Sequence, residues 1–209
     1  MKASPVTTAA LAAQVAALAR DAAGAHPARV AVDGAPTAGT ADLAHAISGV
    51  LRDAGIPVLS IEAGMFLRAA SLRLERGRTN PDAYYEDWLD LNALTREVLG
   101  PAGPGGTGRV LPTLRDPGTD RATRAGYVHL PPHGVVVVSG VFLLGAGLDF
   151  DVTVHLAQSD AALTRRLPEG LAWTVPAYGR YRDEVMPQWQ ADIVVRADDP
   201  RHPAVVTAL

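Results

Sequence analysis

Residues 30–43 have the sequence Val-Ala-Val-Asp-Gly-Ala-Pro-Thr-Ala-Gly-Thr-Ala-Asp-Leu. Its first three residues form an apolar run that is typical of a buried strand. Gly34 and Gly39 follow with four residues between them, and a helical pattern begins after the second glycine. A strand that passes through such a turn into a helix is the framework of a phosphate-binding loop, where backbone amides at the helix N-terminus surround the anion.

The side chains of this loop differ from those that phosphate chemistry uses. The P-loop pattern is G-x-x-x-x-G-K-[ST], in which the lysine neutralises phosphate oxygens and the hydroxyl binds magnesium. Thr40 stands at the lysine position, and Ala41 stands at the hydroxyl position. The framework therefore predicts a phosphate-binding loop without its charged functions, made of Gly34, Ala35, Pro36, Thr37, Ala38, Gly39, Thr40 and Ala41.

The rest of the chain alternates strand-like and helical segments. Apolar runs lie at 30–32, 57–61, 135–138, 152–156 and 193–195, and helical patterns lie at 41–54, 82–99, 159–166 and 177–189. This alternation predicts an α/β, three-layer fold with a mostly parallel sheet. The unbroken valines at 135–138 predict a strand buried on both faces, and residues 30–33 are predicted to form another interior strand.

Length and composition limit the classes of protein that fit. A chain of 209 residues fits one domain. We divide it into an N-terminal helix at 1–28 and a core at 29–205, with a loop-rich excursion at 100–133. The net charge of −3 does not suit bulk binding to nucleic acid or to a membrane surface. The absence of cysteine excludes disulfides and thiolate catalysis.

The first residues carry a helical pattern. Leu11, Val15 and Leu18 recur at helical spacing, Thr7 or Thr8 can cap the helix, and Gly24 can end it. A targeting segment is the alternative, because Lys2 precedes an alanine-rich run, but Gln14 interrupts that run. No apolar run approaches the ~20 residues of a membrane helix. We therefore expect a surface or docking helix and a cytoplasmic protein.

Short segments along the remaining chain form a series. They are Arg76-Gly77-Arg78, residues 80–90, Leu99-Gly100-Pro101, residues 103–106, Arg115-Asp116, Thr119-Asp120, Pro131-Pro132, residues 140–144, Arg180-Tyr181, residues 191–195 and Asp198-Asp199-Pro200. In type and order, this series resembles the uridine kinase family of P-loop nucleoside kinases, particularly its bacterial uridine kinase-like members. The resemblance implies a three-layer P-loop NTPase (nucleoside kinase-like) fold with a mostly parallel sheet. In the family it implies ATP- and magnesium-dependent phosphorylation of a nucleoside.

The sequence departs from the family where phosphoryl transfer takes place. After its second strand the family carries the acid that accepts the nucleoside hydroxyl proton, whereas this chain has Gly64-Met65-Phe66-Leu67. The family's Asp-Gly pair after the later apolar strand is here Ser139-Gly140. Together with the two loop substitutions, these changes remove groups that position substrate and stabilise charge. We therefore expect little or no kinase activity.

The resemblance also implies a substrate site. Its members would be Phe66, Arg68, Tyr84, Tyr85, Trp88, Arg115 and Arg180, and the remaining candidates for a catalytic carboxylate are Asp33 and Glu62. Each has a structural alternative: the aromatic rings can pack a helix on the sheet, the arginines can form salt bridges, and Asp33 can hydrogen-bond the backbone. His129 and His133 do not have the spacing of metal ligands on one helix, and no metal site is predicted.

Two hypotheses for function follow. The first is a catalytically degenerate homologue that keeps a pocket for a nucleoside, a nucleotide or phosphate, and that acts by binding or by assembly as a homodimer or with a protein partner. The second is an active nucleoside kinase that uses displaced residues, with ATP and Mg²⁺ as cofactors. An arginine pointing into the loop, from Arg165, Arg166 or Arg180, would favour the enzyme. A loop closed onto itself would argue against any nucleotide role.

Overall fold

The apolar runs form the strands of a central sheet in the structure, a computed structural model that describes residues 2–207. The strands are β1 (Lys2–Pro5), β2 (Ala28–Gly34), β3 (Val58–Glu62), β4 (Arg109–Val110), β5 (Arg115–Asp116), β6 (Arg121–Ala122), β7 (Val128–His129), β8 (Val135–Gly140), β9 (Val152–Ala157), β10 (Ile193–Arg196) and β11 (Ala204–Thr207).

Helices connect these strands. They are α1 (Thr8–Ala22), α2 (Thr40–Asp53), α3 (Ala70–Arg73), α4 (Pro81–Glu86), α5 (Leu91–Leu94), α6 (Gly100–Ala102), α7 (Asp160–Arg166) and α8 (Val175–Glu184). A π-helical turn at Thr95–Leu99 joins α5 to α6. Short 3₁₀ turns lie at Pro36–Ala38, Ala63–Phe66, Glu169–Thr174 and Pro187–Trp189. None of the helices within residues 2–207 is long and apolar enough to cross a membrane.

Seven of the described strands form one sheet in the order β1-β11-β10-β9-β2-β8-β3. Its five central strands, from β10 to β3, are parallel, whereas β11 and β1 join antiparallel at one edge. Strand β2 lies between two strands that come later in the chain. The strand order therefore reverses next to β2, and in open α/β sheets ligands bind at such a point, outside the carboxyl ends of the strands.

Two apolar clusters cover the two faces of the sheet and make the fold three-layered. Helices α1 and α2 supply one cluster, which includes Leu11, Val15 and Ile47. Residues from α5, α8 and the π-helical turn supply the other, which includes Leu94 and Tyr181. The predicted α/β fold with a mostly parallel sheet is therefore confirmed, and both predicted interior strands, β2 and β8, lie between neighbours.

The ends of the chain show what the sequence pattern missed. The N-terminal helix begins after Thr7, whose side chain accepts a hydrogen bond from Ala10 N at 3.1 Å, as expected of a cap. Strands β1 and β11 were not predicted. β1 is exposed along its length and has no apolar face, so its sequence carries no strand period.

Residues 82–99 were predicted as one helical segment, and the structure divides them. Helix α4 ends at Glu86, and α5 begins after Asp90, whose carboxylate accepts from Ala93 N at 2.9 Å. The intervening Leu89 forms an isolated bridge with Leu67. The excursion at 100–133 contains two short ladders, β4 with β7 and β5 with β6.

A partly buried ion pair joins the start of β2 to Asp151, the residue before β9, at the ends of these strands opposite the phosphate-binding loop. The Asp151 carboxylate accepts from Arg29 N at 2.8 Å, Nε at 2.9 Å and Nη2 at 2.8 Å. Burial pushes the pKa of Asp151 upward, but the hydrogen bonds from Arg29 outweigh burial, and the pKa lies below its usual value. The pair therefore stabilises the fold only while Asp151 is ionised.

This pair predicts part of the acid sensitivity of the fold. Because the folded-state pKa is lowered, the stabilisation is present above the ordinary aspartate pKa and is lost as pH falls through the folded-state value. We expect Asp151→Asn to cost about 1.5–3 kcal/mol at pH 7, the range for hydrogen bonds to charged groups, and less at pH 2. Urea unfolding at both pH values measures this, with the exposed Asp149→Asn as control. An equal cost at pH 7 and pH 2 would contradict the assignment.

Candidate functional site

The loop after β2 is closed by its own hydrogen bonds. Ala38 N donates to Ala35 O at 2.9 Å, and Gly39 N donates to Pro36 O at 3.2 Å. Pro36 itself has no N–H to offer. Three of the loop's backbone positions therefore present no free donor to an anion, and the residues predicted to bind phosphate form a compact 3₁₀ turn, not an open cradle.

A side chain outside the loop fixes this closed shape. The Gln158 amide accepts from Thr37 Oγ1 at 2.7 Å and donates to Thr37 O at 3.1 Å and to Ala197 O at 2.9 Å. Gly39 adopts φ +86°, which glycine tolerates, and this allows the chain to enter α2 directly. The first turn of α2 then carries Asp42, whose charge complements the positive end of the helix dipole.

A cavity of about 570 Å³, here called the cleft, lies beside the loop at the carboxyl ends of β3 and β8. It is bounded by Pro36, Thr40, Ala41, Glu62, Ala63, Gly64, Leu67, Tyr84, Trp88, Leu89, Pro117, Ser139, Gly140, Val141, Phe142 and Leu171. This is the position that the reversal of strand order predicts for a ligand site. A smaller cavity of about 360 Å³ extends from it towards Trp173.

The cleft offers almost no charge for phosphoryl transfer. Glu62 is the one ionisable carboxylate or cation on its wall, and no arginine or lysine among the described residues borders it. Glu62 ends β3, is exposed, and lies in register with Ser139 at the end of β8. The cleft wall therefore carries one acid, at the end of β3, and no cation, whereas Arg166 borders the smaller adjoining cavity beside loop residues Pro36 and Thr37.

Aromatic rings form the opposite side of the cleft. The ring of Tyr84 stands edge-on to the rings of Trp88 and Trp173, with centroids 5.1 and 5.6 Å away, and Arg73 lies over the Trp88 ring at 5.0 Å. The Trp88 Nε1–H is buried and has no hydrogen-bond partner within residues 2–207. Two of the predicted substrate residues, Tyr84 and Trp88, therefore line a surface that can stack a flat ring.

The predicted arginines lie outside the cleft and are paired with carboxylates. Arg68 contacts the Asp87 carboxylate at 3.2 Å, and Arg115 donates to the backbone carbonyl of Asp120 at 2.6 Å and lies 3.8 Å from its carboxylate. Arg180 has three carboxylate partners, which are Asp82, Glu86 and Glu184. Hydrogen bonds from Arg76 and Arg180 hold the pKa of Glu86 below its usual value. That these arginines bind substrate stays a prediction, and their pairing with carboxylates outside the cleft does not support it.

Other predicted positions are also placed. Phe66 is fully buried in the core, and Tyr85 lies under Arg180 with the guanidinium 4.8 Å from its ring. Arg166, an expected source of compensating charge, donates to Asp198 O at 2.8 Å and to Asp199 at 3.0 Å. Arg165 is exposed on α7 and does not border the cleft.

Asp33 is withdrawn from the cleft into the core. Its side chain is fully buried, and Oδ1 accepts from Leu143 N at 2.9 Å. Oδ2 lies 2.7 Å from His155 Nδ1 and accepts from the Tyr181 hydroxyl at 2.9 Å. Burial raises the pKa of Tyr181 far above its usual value, so the hydroxyl keeps its proton. The sequence predicted that Asp33 would accept a hydrogen bond from the backbone. This bond is present, but its donor, Leu143 N, lies far from Asp33 in the chain.

Sequence reasoning missed several residues of this region. Leu171 borders the cleft, and Trp173 borders the smaller adjoining cavity. Both belong to a short segment whose pattern gave no helix or strand signal. Phe142 borders the cleft at φ +60°, a rare conformation for a bulky residue that its sequence position does not announce. The side chains of His155 and Gln158 form hydrogen bonds with Asp33 and Thr37, which lie more than a hundred positions away in the chain. The one local signal was a histidine inside an apolar strand.

Comparisons with known proteins agree with the fold. No family model matches the sequence, and a search of curated proteins finds no match. A candidate uridine kinase from Bacillus stearothermophilus superposes with TM-score 0.64 at 22% identity, covering 80% of this chain and 87% of that one. A candidate fructose transport system kinase from Silicibacter sp. TM1040 superposes with TM-score 0.61 at 25% identity, covering 90% of each chain.

These structures confirm that the chain resembles uridine kinase-like P-loop proteins in fold. Within residues 2–207, no group of three or more histidine, aspartate or glutamate side chains is placed to hold a metal ion. In a P-loop kinase, magnesium is held by the loop hydroxyl and an acid. The family resemblance puts Ala41 and Ser139 at those two positions, and the loss of magnesium binding stays a prediction.

Proposed function

We propose that this protein binds an uncharged, nucleoside-like molecule in the cleft and does not transfer phosphate to it. The observation that carries the proposal is the composition of the cleft: aromatic and apolar side chains make up most of its wall, and Glu62 is the single charged side chain among the described residues that line it. A nucleoside has a flat base that stacks on aromatic side chains and a ribose without charge. Such a ligand requires none of the cations that the loop has lost.

The closed loop supports the same proposal. A nucleoside triphosphate needs amide donors, a lysine and magnesium around its phosphates. Here the amides of Ala38 and Gly39 donate within the loop, and Asp42 adds a negative charge to the first helical turn. ATP is therefore expected to bind weakly or not at all, whereas a neutral ligand avoids these costs.

One observation favours an active kinase as the second candidate. Glu62 borders the cleft from the end of β3 and has no hydrogen-bond partner among the described residues, so its carboxylate is available as a general base. In that case a nucleoside or sugar hydroxyl would lose its proton to Glu62. The candidate lacks a group to stabilise the transferred phosphoryl, which is the larger part of the catalysis.

Calorimetry separates the two candidates. We expect saturable binding of uridine, no binding of ATP with Mg²⁺ at low micromolar concentration, and no phosphorylation of uridine or fructose. Trp88→Leu should weaken uridine binding about 5–150-fold, because stacking of a base on an aromatic ring contributes about 1–3 kcal/mol. The matched control is Trp189→Leu, which changes an exposed tryptophan outside the cleft.

Two results would overturn this proposal. Turnover of a nucleoside or of fructose at roughly 1–100 per second, the ordinary range for kinases, would establish the enzyme. If uridine bound equally well to both tryptophan variants, the site of binding would lie elsewhere. If turnover is observed, its loss in Glu62→Gln would identify Glu62 as the general base of an active kinase.

A further inference from the structure

A second cavity of about 180 Å³ lies on the other side of the loop, between β9 and α8. It shares only Phe142 with the cleft. Most of its wall is apolar, from Ala35, Phe142, Leu156, Leu163, Tyr178 and Pro187. The polar groups on its wall include His155, Gln158, Arg182 and Gln188. The function proposed for the cleft makes no use of this space.

His155 is held in one orientation by a buried carboxylate. Its Nδ1 lies 2.7 Å from Asp33 Oδ2, and Asp33 is fully buried with two further donors, Leu143 N and the Tyr181 hydroxyl. A carboxylate that accepts from Nδ1 fixes the tautomer of a histidine and leaves Nε2 as the free nitrogen. The ring therefore cannot turn without breaking a buried pair.

The Nε2 atom is available to a ligand. The His155 side chain retains 11% of its exposure and borders the cavity. No hydrogen bond to Nε2 is formed by the residues that the structure describes, and Trp88 Nε1 is the one fully buried polar side-chain atom without a partner there. Nε2 is thus neither paired nor sealed in, and in the neutral tautomer with the proton on Nδ1 it presents an acceptor next to an apolar wall.

The charges around the cavity favour an uncharged ligand. Arg182 is paired with Asp160 through two contacts of 2.8 and 3.1 Å, so its charge is balanced. Among the described residues that line the cavity, no charged side chain is left unpaired to bind an anion or a cation. Gln158 is already occupied with the loop and Ala197.

We propose that this cavity is a binding site for a small hydroxyl compound of single-ring size, which donates one hydrogen bond to His155 Nε2 and buries its ring among the apolar side chains. A cavity of about 150 Å³ with apolar walls binds benzene, so the observed volume admits one ring. The site is independent of ligand binding in the cleft.

Phenol and its methyl ether, anisole, test the proposal. Anisole has a similar shape but cannot donate a hydrogen bond. We titrate each into protein labelled with ¹⁵N-histidine and follow the Nε2 resonance of His155. Phenol should shift this resonance saturably and bind about fivefold more tightly than anisole, because one hydrogen bond contributes about 0.5–1.5 kcal/mol.

A pair of variants locates the effect. In His155→Phe the preference for phenol should disappear, while His133→Phe, which alters an exposed histidine, should preserve it. Should the first variant fail to fold, the wild-type resonance decides alone, because it reports on this one atom. No saturable shift, or equal affinity for phenol and anisole, would show that the cavity is only a packing defect.

Discussion

Replacing Asp33 with alanine is expected to lower the free energy of unfolding by at least about 3 kcal/mol, because it leaves three buried donors unsatisfied and each costs about 1–3 kcal/mol. The substitution leaves Leu143 N, the Tyr181 hydroxyl and His155 Nδ1 without their common acceptor. These donors lie in the core and cannot turn to water. Because they come from three parts of the chain, the loss affects the junction between the sheet, α8 and the segment after β8.

Urea unfolding at pH 7 measures this effect. The matched control is Asp53→Ala at the exposed end of α2, where a surface substitution should change stability by no more than about 0.5 kcal/mol. A loss below about 1 kcal/mol in Asp33→Ala would show that the buried network is not a stabilising element. The carboxylate would then be better explained by a role in the cavity beside His155.

The network around Asp33 also shows where sequence reasoning ends. The strands could be predicted, because residues buried on both faces of a parallel sheet form unbroken apolar runs, as in Val135–Val138. The phosphate-loop framework could be predicted from the spacing of Gly34 and Gly39. These features are local, because each depends on residues that are close together in the chain.

Partners of polar side chains are not local. Arg180 was a candidate for substrate binding and for compensating charge, yet it is paired with Glu184 one turn along α8 and with Asp82 and Glu86 of α4, which only the packing of the two helices brings close. Likewise, the four residues between the two loop glycines do not predict that Gln158 forms hydrogen bonds with Thr37. The sequence predicts which residue types are available, but tertiary packing decides what each one contacts.

The largest expected gain comes from rebuilding the loop. Thr40→Lys with Ala41→Ser supplies the missing lysine and hydroxyl, but Ala38 N and Gly39 N still donate within the turn. We therefore expect this double variant to gain little affinity for ATP with Mg²⁺. Adding Pro36→Gly relaxes the fixed φ of the turn and supplies one more N–H, so the triple variant should bind at least tenfold more tightly than the double variant. Calorimetry compares the three proteins, and equal affinity of double and triple variants would contradict the importance of the closed turn.

Turnover should require one further change, because binding the phosphates does not provide a base. Gly64 borders the cleft, and a side chain added there meets no other atom within 4 Å, so Gly64→Asp fits without displacing a neighbour. In the triple-variant background we expect Gly64→Asp to give measurable uridine phosphorylation and its isostere Gly64→Asn to give none, since only the carboxylate can accept the hydroxyl proton. Equal activity of the two variants would mean that Glu62 accepts the hydroxyl proton. Glu62→Gln should then abolish uridine phosphorylation. Activity of the triple variant alone, before any change at Gly64, would mean that the ancestral base was never lost.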